Sequence, residues 1–234
     1  MYKRVLIKLS GEQLAGKYEH GVDPNLCAWL ADEIKKVADS GIQTVIVAGG
    51  GNMIRGEEVA GNGIRRVTGE HMGMLSGLIN SIALTDIFES KGIPTRCLSN
   101  IFAPQVAESY SYRLAEKHLE QKRVVIVAGG LGRPYFTHDS AAVNIAIELE
   151  CQVVLKATKV DGVYDRDPAT FQDAKKFENL SYQQAVEDNA IKVMDKAALG
   201  LAMEYGMPLI IFNAMEADNI LKIVNGEPIG TKIA

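Results

Sequence analysis

The chain of 234 residues is 47% hydrophobic and 23% charged, and its formal net charge of −4 excludes the basic footprint expected for a nucleic-acid or anionic-membrane partner. Three widely spaced cysteines, Cys27, Cys97 and Cys151, predict neither a disulfide framework nor a metal motif but small buried residues in a reducing compartment. The N-terminal segment predicts no signal peptide, and no apolar stretch approaches the ~20 residues of a membrane span, so we expect a soluble cytoplasmic protein.

Short apolar runs, rich in β-branched residues, alternate with longer helical segments along the chain. In chain order the runs are Val5–Leu9, Thr44–Ala48, Val124–Ala128, Val153–Leu155 and Leu209–Phe212. Nearly continuous apolar runs suit strands that are covered on both faces. The alternation therefore predicts an α/β fold, with a parallel sheet between helices, in a single domain spanning residues 1–234.

Capping signals predict where three of the helices begin. Asp23-Pro24 is typical of an N-cap followed by proline at the first helical position, and it predicts a helix that ends near Gly41. Thr68 predicts the cap of a second helix that runs to Gly92. Asp139 predicts the cap of a third helix over SAAVNIAIELE.

Glycine, lysine or asparagine closes or directly follows each predicted strand. The residues concerned are Lys8 to Gly11, Gly49 to Asn52, Gly129-Gly130, Lys156 and Asn213. Ligands of open α/β sheets bind beyond the carboxyl ends of the strands, so these residues predict one shared crevice. A single glycine pair can be an ordinary turn with positive φ, and a single lysine can be a solvated surface charge. Two glycine turns, two lysines and Arg55 together favour a polyphosphate site.

Asp139 and Asp195 have two compatible interpretations. Each can cap a helix, and a carboxylate beside Lys8 or Lys156 can also orient that lysine and hold a Mg²⁺ carried by ATP. The four histidines suggest no base paired with a nucleophile. A phosphate monoester acceptor needs no base, because its second pKa of about 6 leaves it ionised at pH 7. Catalysis would then consist of alignment and charge neutralisation.

Seven motifs distributed over the whole chain carry a resemblance to a known family. They are KLSGE (8–12), GGGNMIRG (49–56), GEHMGML (69–75), FTHDSAA (136–142), VLKATKVDGVYDRDP (154–168), KVMD (192–195) and GTKI (230–233). In order and spacing they resemble the bacterial uridylate (UMP) kinases of the amino-acid kinase family. The resemblance implies a three-layer αβα fold with a central, mainly parallel sheet of about eight strands. It also implies phosphoryl transfer from Mg²⁺·ATP to UMP, giving ADP and UDP for pyrimidine nucleotide biosynthesis, by a homohexamer that GTP activates and UTP inhibits.

The same resemblance assigns roles by position. It implies catalytic roles for Lys8, Asp139, Lys156 and Asp195. It implies an ATP site formed by Lys8, Leu9, Ser10, Gly11, Gly51, Arg55, Thr158, Tyr164 and Asp167. It implies a UMP site formed by Gly50, Arg55, Glu70, Leu131, Gly132, Arg133, Pro134, Tyr135, Phe136, Thr137 and His138. Mg²⁺ is expected to arrive with ATP and to lie near Asp139 or Asp195, without a metal site made by the protein alone.

Three positions depart from the family pattern. Glu70 stands where the family has Asp. Because its side chain is one methylene group longer, its contacts with the UMP ribose must shift or be made through a water molecule. In the loop that should wrap UMP, Arg133 replaces Asn and His138 replaces Thr. Arg133 can reach water, the UMP phosphate or a neighbouring subunit, and because Arg55 already supplies a phosphate clamp, the subunit contact is favoured over the phosphate.

Two other functions are compatible with parts of the pattern. A related kinase could act on a carboxylate or carbamate, as acetylglutamate and carbamate kinases do, but those kinases lack GEHMGML and the KATKVDGVY spacing. Molybdenum storage proteins share the fold and bind ATP while packing oxyanion clusters. The presence of Lys8, Arg55, Asp139 and Lys156 together favours turnover over storage. The apolar segment 71–88 supports a hexamer, although burial within one subunit would also explain it.

Overall fold

The structure is a computed structural model, and it describes residues 1–61, 63–188, 191 and 193–234. Lys192 of the KVMD motif lies outside the described residues. The strands are β1 (Arg4–Leu9), β2 (Gln43–Ala48), β3 (Thr95–Ser99), β4 (Glu108–Ser109), β5 (Val124–Ala128), β6 (Val154–Thr158), β7 (Val163–Tyr164), β8 (Lys176–Phe177), β9 (Asn179–Leu180), β10 (Leu209–Asn213) and β11 (Thr231–Ile233). The helices are α1 (Gly11–Leu14), α2 (Pro24–Asp39), α3 (Gly56–Val59), α4 (Arg66–Ser90), α5 (Tyr112–Glu120), α6 (His138–Glu148), α7 (Tyr182–Glu187), α8 (Lys196–Tyr205) and α9 (Asn219–Val224).

One large sheet organises the described part of the chain. Its nine strands lie in the order β4-β3-β5-β2-β1-β6-β10-β11-β9, while β7 and β8 form a separate antiparallel pair. Neighbouring strands of the large sheet run parallel except for β10 and β11. The predicted α/β class with a mainly parallel sheet is confirmed, with nine strands where about eight were expected.

Helices cover both faces of this sheet. Successive residues of a strand point to opposite faces, so Leu6 and Val45 pack under α5, α6 and α8, while Ile7 and Ile46 pack under α2, α4 and α9. All four side chains are fully buried. Because both faces are covered, the central strands need apolar residues at every position, which is why their runs are continuous rather than alternating.

The five predicted strands are present with small shifts at their ends. The largest shift concerns β6, which begins at Val154 and continues to Thr158, so Lys156 lies inside the strand rather than after it. The missed strands are short, or carry polar residues as β3 does in its sequence TRCLS. Edge strands have fewer covered positions, and their sequences therefore carry a weaker apolar signal.

Of the three predicted helix starts, the first is confirmed, and the second is wrong in the position of its cap. Helix α2 begins at Pro24, and the Asp23 carboxylate accepts a hydrogen bond from the backbone N–H of Asn25 at 3.0 Å. Helix α4 begins at Arg66, so Thr68 lies within its first turn and is not the cap. The chain is already helical at Thr68, because its N–H donates to the carbonyl of Arg65 at 2.9 Å.

The three cysteines lie in the interior, as the sequence predicts. Cys27, Cys97 and Cys151 are buried thiols without disulfide partners in the described chain. Burial raises the pKa of each thiol, which keeps it protonated at neutral pH.

Among the helices that the structure describes, none has both the length and the apolar character needed to cross a bilayer.

Candidate active site

The centre of the candidate site is a carboxylate held between two lysines. Strands β1 and β6 are parallel neighbours in a register that places Lys8 directly opposite Lys156. Both side chains point to the face covered by α6. At the start of α6, Asp139 Oδ1 lies 2.8 Å from Lys8 Nζ, and its Oδ2 accepts a hydrogen bond from Lys156 Nζ at 2.6 Å. Two cations and one anion thus meet with a net positive charge at the carboxyl edge of the sheet.

The charged side chains of Lys8, Asp139 and Lys156 are largely shielded from solvent. The three side chains are only 11–14% exposed. Burial by itself raises the pKa of Asp139, but the ammonium groups of Lys8 and Lys156 outweigh burial and hold that pKa at about 2. Burial lowers the pKa of Lys156, and the carboxylate of Asp139 only partly offsets this effect. Asp139 is therefore ionised at neutral pH, and its role is to fix the direction of both lysines.

The prediction that Asp139 caps the third helix is wrong. Helix α6 begins one residue earlier, and its cap is Thr137, whose hydroxyl accepts hydrogen bonds from the N–H groups of Asp139 at 3.0 Å and Ser140 at 3.3 Å. The threonine takes the capping role because it occupies the extended residue before the first turn. The carboxylate of Asp139 is thereby left available for the lysines.

Asp195 does cap a helix, as predicted. Its carboxylate accepts from the N–H of Ala198 at 2.9 Å at the start of α8. It also accepts hydrogen bonds from the hydroxyls of Thr137 at 2.5 Å and Ser140 at 2.9 Å. Asp195 therefore ties the first turn of α6, which carries Asp139, to the first turn of α8.

A cavity of about 470 Å³ opens beside the lysine cluster. It contains eleven of the predicted site residues, namely Lys8, Ser10, Gly11, Gly50, Gly51, Arg55, Glu70, Phe136, Thr137, His138 and Asp139. An adjoining cavity of about 400 Å³ is lined by Asp139, Lys156 and Asp195. Asp139 lies between the two spaces, so a molecule bound in either of them can contact the cluster.

The triple glycine is explained by close packing rather than by positive φ. Positive φ occurs at Gly129 (76°) and Gly130 (56°) as expected, but Gly49, Gly50 and Gly51 do not adopt it. A Cβ on Gly50 would lie 2.5 Å from the carbonyl oxygen of Gly73 on α4. A side chain is excluded there because the loop runs against the helix backbone, and this contact forms one wall of the cavity.

Two buried asparagines hold that loop in place. Asn80 on α4 donates to the carbonyl of Gly49 at 2.6 Å and to Asn52 Oδ1 at 2.7 Å, and Asn52 donates back to Asn80 Oδ1 at 3.0 Å. Both side chains are nearly inaccessible to solvent. A buried amide pair with its hydrogen bonds satisfied is rigid, so it fixes the position of the glycine loop relative to α4.

Arg55, which also lines this cavity, is paired with acidic side chains. Its guanidinium forms an ion pair with Glu12 of α1, and its Nε lies 3.5 Å from Glu58 Oε1. Arg55 and Glu12 are each about half exposed. An exposed pair of this kind is worth only about 0–1 kcal/mol. A doubly charged phosphate that offers bidentate acceptors can therefore displace Glu12 from the arginine.

The described residues contain no group of three or more His, Cys, Asp or Glu side chains that could hold a metal ion. The two nearby carboxylates are already engaged, Asp139 with the lysines and Asp195 with hydroxyl and N–H donors. This donor set fits a Mg²⁺ that is coordinated mainly by phosphate oxygens and water, with one or two carboxylates close by.

His138 occupies a confined position beside the cluster. Its Nε2 faces α4, where a Cβ added to Gly77 would lie 2.5 Å away, and this buried nitrogen has no hydrogen-bond partner among the described residues. Burial lowers the pKa of His138 to about 4, and the charge of Lys8 acts in the same direction against the smaller opposing effect of Asp139. The imidazole is therefore neutral at pH 7.

We expect His138→Thr to flatten the pH dependence of stability between pH 7 and pH 5. The folded-state pKa of about 4 lies below the unfolded value of 6.5, so the unfolded chain binds more protons in this window. Stability is then complete above pH 6.5 and falls as the pH drops towards 4, by about 2 kcal/mol at pH 5. Urea unfolding at pH 7 and pH 5 measures the effect, with His20→Thr on the exposed surface as the control. An identical pH dependence in the wild type and the His138 variant would contradict this assignment.

Several predicted residues lie outside the two cavities. Those predicted for the adenosine end make local contacts beyond β6: Thr158 donates to the carbonyl of Val160 at 2.6 Å, Tyr164 donates to Asp161 at 2.6 Å, and Asp167 accepts from Ala169 N–H at 2.9 Å. Leu9 is fully buried in β1. Of the acceptor loop, Leu131, Gly132, Arg133, Pro134 and Tyr135 do not line the cavity in the described structure. Their nucleotide contacts remain predictions.

Three of the residues that were not predicted as site residues bear most directly on the geometry of the site. Glu12 and Arg66 line the cavity, and Asn80 holds its glycine loop. Arg66 had a usable signal, because it precedes Glu70 by four residues on a helix, and such pairs lie on the same face. Asn80 had none, since a polar residue in an apolar helix can equally face solvent.

The chain is similar to proteins of known activity over nearly its whole length. A model of the amino acid kinase family matches residues 3–213. The chain is 46% identical over 230 residues to the uridylate kinase of Dichelobacter nodosus, covering 98% of this chain and 95% of that protein. It is also 46% identical over 228 residues to the uridylate kinase of a Sulfurovum species, covering 97% of each. The crystal structure of UMP kinase from Bacillus anthracis is similar with a TM-score of 0.94 at 40% identity, covering 99% of this chain and 96% of that one.

Proposed function

The chain belongs to the amino acid kinase family, and from this we propose that it is a single-domain uridylate kinase. It transfers the γ-phosphoryl group of ATP to UMP, giving ADP and UDP in pyrimidine nucleotide biosynthesis. The observation that carries the proposal is the single cavity lined by both Lys8 and Arg55, since it offers cations for two phosphate groups. Near-full-length similarity to uridylate kinases identifies the acceptor. Both substrates are available in the cytoplasm, which is where we place the enzyme.

In this mechanism the protein aligns the two phosphates and neutralises their charge. Lys8 and Lys156, held in direction by Asp139, face the phosphates of ATP, while the guanidinium of Arg55 exchanges Glu12 for the phosphate of UMP. The acceptor oxygen is already ionised at pH 7, so no residue need remove a proton from it. Lysine donors that are fixed before reaction stabilise the charge developing on the transferred group without reorganising. Mg²⁺ bound with ATP would supply further charge neutralisation, and Asp139 and Asp195 are the residues that would hold it.

The remaining residues extend the two sites. At the ATP end we include the backbone from Leu9 to Gly11, Gly51, and the more distant Thr158, Tyr164 and Asp167. At the UMP end we include Gly50, Glu70 and the loop from Leu131 to His138. These roles rest on the family resemblance, supported for the inner residues by their place around one cavity.

The proposal is tested by an assay of ADP release against a panel of acceptors. The panel contains UMP, CMP, acetylglutamate, carbamate and no acceptor. We expect kcat/KM for UMP to exceed that for every other acceptor by roughly 10⁴-fold, the discrimination available to a site built to hydrogen-bond its substrate. ADP release only with a carboxylate or carbamate would identify one of the related kinases. ATP binding without turnover of any acceptor would favour storage.

We further propose that the enzyme assembles as a homohexamer through α4. This helix buries Met74 and Leu78 within the subunit, yet Leu75 and Ile79 are 46% and 51% exposed. One helix therefore carries apolar side chains on two faces, and the second face is suited to another subunit. Regulation by GTP and UTP, which the family resemblance implies, would act through such an assembly.

We expect sedimentation to detect a hexamer at micromolar concentration and Ile79→Glu to dissociate it, because the charge would be buried without a partner. Met203→Glu is the matched control, since Met203 is 50% exposed on α8, across the sheet from α4. A stable wild-type monomer, or a hexamer unaffected by Ile79→Glu, would contradict the proposed interface.

A further inference from the structure

The ion pair between Glu12 and Arg55 connects residues that are assigned to different substrates. Glu12 is the second residue of α1 and follows the Ser10-Gly11 turn that is assigned to ATP, whereas Arg55 directly precedes α3 and is assigned to the phosphate of UMP. Both side chains line the large cavity. In the free protein the two substrate sites are therefore joined by a direct contact between charged groups.

The pair lies over Gly51 of the triple glycine. A Cβ added to Gly51 would lie 3.6 Å from Glu12 Oε1 and 3.8 Å from Arg55 Nε. Gly51 also touches the turn that is assigned to ATP, because a Cβ added to Gly11 would lie 2.6 Å from the backbone nitrogen of Gly51. The paired side chains thus cover the glycine loop at the place where the residues for the two substrates meet.

A carboxylate paired with an arginine occupies the same donors that a phosphate needs. The planar guanidinium binds carboxylates and phosphates in the same bidentate manner. Glu12 is therefore an internal anion at the group that receives the acceptor phosphate, and Glu58 Oε1, 3.5 Å from Arg55 Nε, adds a second carboxylate. UMP needs the guanidinium and ATP needs the space over Gly51, so each substrate binds fully only after the pair has opened.

The pair is weak enough for a substrate to open it. The side chains of Glu12 and Arg55 are 50% and 49% exposed, and an exposed ion pair changes an equilibrium by about fivefold at most, equivalent to about 1 kcal/mol. The closed pair reduces the apparent affinity of whichever substrate binds first by this factor. The second substrate meets a pair that is already open. Two ligands that share one opening step bind cooperatively, and the coupling is equal in both directions.

We propose that Glu12 and Arg55 form a latch over the glycine loop, which the first substrate opens so that the second substrate binds more tightly. The inference rests on the proposed function, since it concerns the regulation of that same site. The latch favours the complex with both substrates over the complexes with ATP or UMP alone, and phosphoryl transfer takes place only in the former. Glu12 acts through Arg55 and takes no part in the transfer itself.

Calorimetric titration tests the latch with UMP and the non-hydrolysable β,γ-imido analogue of ATP in the presence of Mg²⁺. The Kd of the analogue is measured without UMP and with saturating UMP, and the ratio of the two values is the coupling. We expect Glu12→Gln to lower the Kd of the analogue alone and of UMP alone by about three- to fivefold. The Kd of the analogue in the presence of UMP should stay within about twofold of the wild-type value, because the pair is already open there, so the coupling falls by about three- to fivefold.

Glu57→Gln is the matched control for the removal of negative charge. Glu57 lines the same cavity, but its carboxylate lies 3.5 Å from Arg66 and not in the pair with Arg55. Its loss should change the Kd of the analogue equally with and without UMP, which leaves the coupling as in the wild type. In the Arg55→Ala background, Glu12→Gln should change the Kd of the analogue by less than about twofold, because the guanidinium that holds Glu12 is absent.

Three results would overturn the latch: a coupling that Glu12→Gln leaves unchanged, a coupling that Glu57→Gln reduces equally, or an effect of Glu12→Gln that persists without Arg55. Each of these is compatible with an active uridylate kinase. A wild-type enzyme that does not phosphorylate UMP would instead refute the proposed function itself.

Discussion

Replacing either Lys8 or Lys156 by methionine is expected to lower kcat by roughly 10²–10³, the usual effect of removing one preorganised charge donor. Each lysine side chain is less than 15% exposed, and each contacts a different oxygen of Asp139. Removing one lysine leaves the carboxylate paired with the other, so the fold should persist while the charge facing the phosphates is lost. Both variants should therefore remain folded and bind UMP, with the loss concentrated in turnover.

Steady-state kinetics with saturating ATP and UMP measures this effect. Lys91→Met is the matched control, because Lys91 is also ion-paired, with Asp32 at 2.7 Å, but lies outside the two cavities that meet at Asp139. We expect the control to retain turnover within a few-fold of wild type. Near-normal turnover in both active-site variants would reject the roles assigned to the two lysines.

Asp139→Asn is expected to destabilise the free protein by about 3–5 kcal/mol, the typical cost of removing one partner from a buried ion pair. The substitution leaves Lys8 and Lys156 facing each other on adjacent strands without an anion between them. Lys156 already has a pKa lowered by burial, and the loss of Asp139 removes the larger of the two carboxylate effects that oppose this shift, leaving that of Asp195. One of the two lysines should then lose its proton more readily.

Urea unfolding at pH 7.5 measures the destabilisation, and Asp32→Asn in the exposed pair with Lys91 serves as the control, expected to change stability by less than about 1 kcal/mol. Inorganic tripolyphosphate should recover more stability in Asp139→Asn than in the wild type, because its charge can replace the missing carboxylate between the lysines. A change in the free energy of unfolding below about 1 kcal/mol for Asp139→Asn would show that the cluster is not a buried electrostatic unit.

Local sequence signals located the helix starts only in part. The prediction that α2 begins at Asp23-Pro24 is confirmed, because proline cannot lie deeper in a helix without losing a hydrogen bond. At Thr137 to Asp139, two residue types that both favour the capping position lie two residues apart, and the sequence does not distinguish them. The structure distinguishes them through long-range contacts: the Thr137 hydroxyl bonds to Asp195, and the Asp139 carboxylate bonds to lysines on two strands. Thr68 is not the cap of α4 for a related reason. Helix α4 packs against α3 and begins two residues earlier, at Arg66.

The sequence by itself determined the α/β class, the central strands and the edge of the sheet at which Lys8, Arg55 and Lys156 gather. These follow from local properties: apolar runs mark strands covered on both faces, and residues that follow parallel strands share one edge. Only the tertiary structure decided that Lys8 lies opposite Lys156, that Asp139 lies between them, and that Arg66 holds Glu70. The register that places Lys8 opposite Lys156 depends on contacts between segments more than a hundred residues apart, and shifting it by one residue would turn a lysine to the other face of the sheet. No local pattern contains that information, because the free energy that selects the register comes from packing the whole core.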